Sequence, residues 1–157
     1  MEYLMNTLNL VKSYKNKTVV DSVNIHVKKG EVYGFVGPNG AGKSTVMKML
    51  LNLTQPDSGE VYIFGERIGT TSYECLKRIG SIIERPYFYE KITGRKNLEL
   101  HCEYMGFHNK ERIDEVLQMV GLENIEEKAV SDYSMGMKQR LAIARAILAK
   151  PEFLILY

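Results

Sequence analysis

The residues with the clearest chemistry are Gly37-Pro38-Asn39-Gly40-Ala41-Gly42-Lys43-Ser44, which satisfy the pattern G-x-x-x-x-G-K-[ST]. Glycines let backbone N–H groups turn inward and approach phosphate oxygens closely. A helix opening near Lys43 adds the positive end of its dipole. The Lys43 ammonium can reach the β- and γ-phosphates of a nucleoside triphosphate, and the Ser44 hydroxyl can ligate Mg²⁺. Gly37 to Thr45 is therefore the candidate nucleotide-binding segment. The alternative, a plain glycine-rich turn, does not call for the apolar run before it and the amphipathic helix after it.

Three further groups could do chemistry. Tyr133-Ser134-Met135-Gly136-Met137-Lys138-Gln139-Arg140 opens a predicted helix, with Ser134 as N-cap and free N–H groups that suit an anion. Taken alone, it reads more readily as a plain capped core helix. Tyr14 offers a flat π surface that suits a purine, or is simply a half-buried surface tyrosine. Glu84, in Ile82-Ile83-Glu84-Arg85-Pro86, is a loop carboxylate whose own residues say no more than that it is solvated. The aromatic group Tyr87, Phe88 and Tyr89 just beyond it is a socket for a partner helix or packing for the helical insert.

The elements that position these groups follow from periodicity. Val23, Ile25 and Val27 alternate with polar residues, predicting a half-buried strand. Val32 to Val36 is a short apolar run, predicting a strand buried on both faces. Ser44 to Leu53 predicts a helix, Gln55 to Gly59 a turn, Val61 to Phe64 a strand and Ile79 to Ile83 another. Beyond Pro86 the pattern turns helical: Asn97 to Met105, then Lys110 to Val120 with Asn109 as N-cap and Gly121 at its end, then Met135 to Ala149. Phe153 to Leu156 predicts a buried strand. The order favours an α/β chain with a helical insert between Pro86 and Lys150.

Composition sets the outer bounds. The 157 residues carry 21 Lys+Arg against 19 Asp+Glu, with 45% apolar and 25% charged residues, as in an ordinary globular domain. That excludes a disordered tail, a collagen-like fibre and a disulfide mini-protein. The net charge of +2 gives no argument for nucleic acid. The longest apolar runs are interrupted by Arg145 and Lys48 and fall short of a membrane span. Met1-Glu2-Tyr3 lacks the basic start of a secretory signal. Cys75 and Cys102 suggest a reducing compartment. A cytosolic domain is expected.

The phosphate loop and the Ser134 segment together resemble the ATP-binding cassette family. Its signature is L-S-G-G-Q followed by a basic, Gln and Arg helix. Ser134, Gly136 and Gln139-Arg140-Leu141 match; Met135 stands at the first glycine and Met137 replaces the glutamine. The bacitracin- and lantibiotic-exporter-like branch tolerates such changes. The resemblance implies a P-loop NTPase core with N-terminal antiparallel strands and a helical insert, its parallel sheet incomplete. Residues 1–85 would form the nucleotide-binding core, 86–150 the helical subdomain, and 151–157 the start of the strand carrying the second nucleotide motif. Tyr14 would stack on adenine. Ser134, Met135, Gly136 and Met137 would touch ATP held by a second copy of the domain. Glu84 would take the place of a glutamine that contacts Mg²⁺, the attacking water and a transmembrane permease.

The implied protein is the ATP-binding subunit of a membrane exporter, lying on the inner face of the cell membrane through its permease. The branch points to a peptide antibiotic or lipid-like cargo bound elsewhere. Alternatives are a soluble cassette ATPase acting on ribosome or DNA, and a nucleotide-binding fragment without activity. Tyr157 stands where the family has the Asp that holds Mg²⁺ through water, and the catalytic Glu and histidine switch have no counterpart. His26, His101 and His108 occupy no such position and are taken as incidental. No catalytic residue is assigned. These 157 residues alone are expected to hydrolyse ATP negligibly and to associate through unpaired sheet edges.

Overall fold

The computed structural model describes residues 3–69, 73–107, 109–125 and 127–157. His108 lies outside them. The chain divides into two compact units, Met1–Leu76 and Lys77–Tyr157.

The first unit is built on an antiparallel sheet. Strands β1 (Met5–Tyr14) and β2 (Lys17–Val23) form a hairpin. It turns through Lys15 and Asn16, both at positive φ, the backbone sense that matches strand twist. Strand β3 (His26–Val27) also pairs with β1. The alternation read from Val23 to Val27 keeps its face, with Ile25 and Val27 buried and His26 exposed. On the other side of β1 lies β4 (Ser58–Ile63), followed by β5 (Glu66–Arg67), giving the order β2-β1-β4-β5. Helix α1 (Lys43–Leu50) buries Val46, Met49 and Leu50, the three- and four-residue spacing of one helical face. It stops short of the predicted Leu53, because Asn52 turns into the left-handed region.

The run Val32 to Val36 departs from expectation. It forms no strand, and Val32 and Val36 are 98% and 95% exposed. A strand buried on both faces exists only where neighbours take its N–H and C=O groups. Among the described residues no strand pairs with this run, so apolarity alone leaves it irregular.

The second unit is mainly helical. The short helix α2 (Tyr73–Lys77) belongs to the first unit in all but its last residue, and the second unit opens with β6 (Ile79–Ile82). Helix α3 (Gly94–Met105) starts earlier than predicted, because the Thr93 hydroxyl accepts from the Lys96 N–H at 3.1 Å and caps it. Helix α4 (Lys110–Met119) is capped by Asn109 as predicted, through Oδ1 and the Arg112 N–H at 2.9 Å. It ends in a Schellman pattern: the Gly121 N–H donates to Gln118 O and the Leu122 N–H to Leu117 O. Helix α5 (Met135–Ile147) closes the block, its last carbonyls taken by the Arg112 guanidinium. Leu98, Ile113, Leu117, Leu122 and Leu141 are fully buried between these helices.

Strand β7 (Phe153–Leu156) pairs with β6 in parallel, Ile79 opposite Phe153 and Ile82 opposite Leu156. Its expected burial holds only for Ile155; Leu154 and Leu156 stay exposed. Alternate side chains of a strand face opposite ways, and the described cover is α5, whose Ala142 and Ala146 pack against Ile82. The fold is thus mixed α/β: an antiparallel sheet with a helix, and a helical block carrying a two-stranded parallel sheet. No helix among the described residues is long and apolar enough to cross a membrane.

Candidate functional site

The loop Gly37–Ser44 is shaped by backbone sterics. Gly42 sits at φ 85° as the residue before α1. A Cβ added there would lie 2.5 Å from the Val19 carbonyl oxygen on β2. No other residue type fits a left-handed position against a backbone atom at that distance. The Ala41 N–H donates to Pro38 O, closing the turn. Helix α1 then opens with no side-chain cap and no acidic residue in its first turn. Its first N–H groups and positive dipole end remain available to an anion. The Lys43 ammonium donates to Gly37 O at 2.6 Å and Pro38 O at 2.7 Å, curling over the loop. Ser44 and Thr45 stand on the first turn, half-buried.

Hairpin β1–β2 relates Tyr14 to this loop. Tyr14 pairs with Lys17 on β2, and Val19, two residues along the same strand, is the residue against which Gly42 packs. Tyr14 is about half exposed, with the Lys12 ammonium 5.6 Å from its ring centroid.

The Ser134 segment lies in the second unit. Ser134 is the N-cap of α5: its hydroxyl accepts from the Met137 N–H at 3.2 Å, while the Ser134 N–H points at the Met137 thioether at 3.4 Å. The thioether thus fills the reciprocal half of a capping box usually made by Glu or Gln. Ser134, Met135 and Gly136 are exposed.

Glu84 follows β6 at φ 65°, a left-handed backbone that a non-glycine side chain adopts at a cost. It too belongs to the second unit, whereas Ser44, the other metal-ligand candidate, belongs to the first.

The aromatic segment beyond Glu84 is fixed by side chains that the sequence alone did not single out. Asn97, buried on α3, accepts from the Tyr89 N–H and donates to the carbonyls of Tyr89 and Thr93. Arg145 of α5 donates to Tyr87 O at 2.9 Å and stacks 4.7 Å over the Phe88 ring. Together with His101 and Tyr104 they line a cavity of about 280 Å³. Burial, and secondarily the Arg145 charge, holds His101 below the ordinary histidine pKa. Tyr87, Tyr89 and Tyr104 remain exposed, the last two joined through their hydroxyls. The sequence held one clue: Arg145 interrupts an apolar helix run. His101, taken as incidental, lines this cavity.

A glycine-forced loop, an uncapped helix start and a lysine beside it make this segment a candidate phosphate cradle of the mononucleotide type. The family model described as ABC transporter matches residues 20–156, and the chain belongs to that family. It is 59% identical over 156 residues to the uncharacterized ABC transporter ATP-binding protein YcbN of Bacillus subtilis (strain 168), covering 99% of this chain and 51% of that protein. It is 50% identical over 156 residues to the bacitracin transport ATP-binding protein BcrA of Bacillus licheniformis, with the same coverage. A solved structure described as the ATP-binding subunit of an ABC transporter superposes with a TM-score of 0.87 at 29% identity, covering 98% of this chain and 65% of that one. The chain spans about half the length of the curated relatives it matches. Proteins of this family bind ATP, generally with Mg²⁺.

Proposed function

We propose that these residues form the ATP-binding part of an exporter's motor subunit, which works with a second copy of itself and a membrane permease. The observation that carries the reading is the phosphate cradle: Gly42 wedged against Val19 O ahead of an uncapped helix that starts at Lys43. Gly37 to Gly42 would wrap the phosphates, and the Lys43 ammonium would exchange its two carbonyl partners for phosphate oxygens. Mg²⁺ binds through nucleotide phosphates and few protein groups; Ser44 would supply one, and Glu84 is the second candidate. Tyr14 would stack on the base. Ser134, Met135, Gly136 and Met137 would meet the nucleotide of the second copy.

The similarity to a bacitracin transport protein supports a peptide or lipid-like cargo, bound by the permease. The cavity bounded by Tyr87, Phe88, His101 and Arg145 is the surface we assign to that permease, since exposed aromatics and arginine are typical of interface centres. Attachment to the inner face of the membrane would follow from that contact.

Calorimetric titration with ATP, with and without Mg²⁺, tests the reading on the native chain and Lys43→Ala. Saturable binding that is lost in Lys43→Ala is expected. Equal binding by both chains, or none by a folded native chain, overturns it.

A further inference from the structure

Tyr14 stands at the tip of β1, where the sheet gives its backbone the least support. The β1–β4 ladder shifts register between Leu8 and Val11 and ends at Val11 opposite Ser58. Gly59 makes that shift sterically feasible: at φ 88°, a Cβ there would meet the carbonyl oxygens of Asn9 and Leu8. Beyond Ser58, β4 offers no further strand, and among the described residues Ser13 and Tyr14 pair only with β2.

Asp57 fills the gap. Its own N–H donates to Val11 O at 2.9 Å, continuing the ladder by one bond. Its carboxylate then replaces the missing strand: Oδ2 accepts from the Ser13 N–H at 2.7 Å, and Oδ1 accepts from the Lys12 ammonium at 2.7 Å. The same ammonium lies 5.6 Å from the Tyr14 ring centroid, within cation–π range. One carboxylate therefore holds the backbone one residue before Tyr14 and, through Lys12, one face of its ring. The Lys12 side chain is 15% exposed, so its position is restricted. The carboxyl is held below its ordinary pKa by Lys12 and the Ser13 N–H, as expected of an ionised clamp.

We propose that Asp57 is a positioning residue for the base platform: through Ser13 and Lys12 it fixes the Tyr14 ring in place for a purine base. The proposal rests on the nucleotide reading above. Asp57 reaches no phosphate in this scheme, so its effect should fall on ligands that carry a base and spare those that do not.

The test compares Mg·ATP with Mg·tripolyphosphate, which offers phosphates without a base, by calorimetry on the full chain. Asp57→Ala is expected to weaken ATP about 5- to 10-fold, the scale of a lost charge-assisted hydrogen bond, and to leave tripolyphosphate within about 2-fold. Asp57→Asn keeps an acceptor for the Ser13 N–H and should recover part of the loss. In Tyr14→Ala the Asp57 change should add nothing, since both act through the same ring. An unchanged ATP affinity in a folded Asp57→Ala overturns the proposal. So does an equal loss for both ligands, which would mark a general loosening of the unit. If Asp57→Ala does not fold, Asp57→Asn decides by the same ratio. Tripolyphosphate binding with no preference for ATP in the native chain would sink the base platform and leave the phosphate cradle standing. Binding of neither ligand would sink both.

Discussion

The two units build their candidate surfaces from different material. In the first, the phosphate loop is made of backbone: Gly42 against Val19 O, a helix start without a cap, and a lysine held by two carbonyls. In the second, the cavity beside Tyr87 is made of side chains reaching across elements: Asn97 from α3 and Arg145 from α5 pin one loop from two sides. A backbone site depends on a conformation that few residues adopt. A side-chain site depends on partners that converge from distant positions. The first should fail abruptly on one substitution, the second by degrees.

The largest effect is expected at Gly42. Gly42→Val places side-chain atoms where a Cβ alone already meets Val19 O at 2.5 Å, on a backbone that costs a β-branched residue about 1–3 kcal/mol before any clash. We expect ATP affinity to fall by well over about 10-fold and the unit to lose stability. Wild-type affinity in Gly42→Val would break the contrast, because the cradle would then not depend on its backbone.

Arg145→Met should act on the second unit alone. It removes the bond to Tyr87 O and the contact with Phe88 while keeping the side chain's length. A loss of about 1–3 kcal/mol is expected by denaturant titration, with ATP affinity unchanged within about 2-fold. If ATP affinity fell in step with stability, the two regions would not be separable. Ser134→Ala is a smaller change: losing the N-cap bond should cost about 1 kcal/mol. Nucleotide binding by a single chain should persist, while ATP-driven association of two copies, followed by light scattering, should weaken.

The same contrast explains what was legible in the sequence. The candidate phosphate loop stood out because its pattern occupies eight consecutive residues, with a steric reason for Gly42 and charge or ligand reasons for Lys43 and Ser44. Helices α4 and α5 could be read because caps and apolar spacing are local. The run Val32–Val36 reads as a strand and is not one, because apolarity states a preference for burial and says nothing of whether neighbouring strands are present. Strand β1 escaped because its register shifts and its polar residues blur the period of two. The cavity escaped because Tyr87, Asn97, His101 and Arg145 meet only after three elements pack. Asp57 read as turn chemistry, and its grip on Lys12 and Ser13 spans more than forty positions.

The smallest effect separates the units by pH. His101 has its pKa held below the ordinary 6.5, by burial first and the Arg145 charge second. Tyr87 and Tyr89 from the loop, Tyr104 from its own helix and Arg145 from α5 line the cavity with it, and among the described residues that line it none is a carboxylate that would offset the proton. A depressed pKa means that the unfolded chain binds more protons just below pH 6.5. The second unit's stability is then complete above that pH and declines as pH falls towards the folded value. Asp57 has its pKa below the ordinary 3.8, so its contribution to the first unit is present above 3.8 and lost in stronger acid. Because Asp57 is exposed, added salt should shrink its effect. Thermal unfolding between pH 3 and 7.5 should show the near-neutral decline flattened in His101→Gln and the acid decline flattened in Asp57→Asn. If His101→Gln left the slope between pH 5 and 6.5 unchanged, the cavity would be wet enough to accept a proton freely, and its side-chain packing would be looser than Arg145 and Asn97 imply.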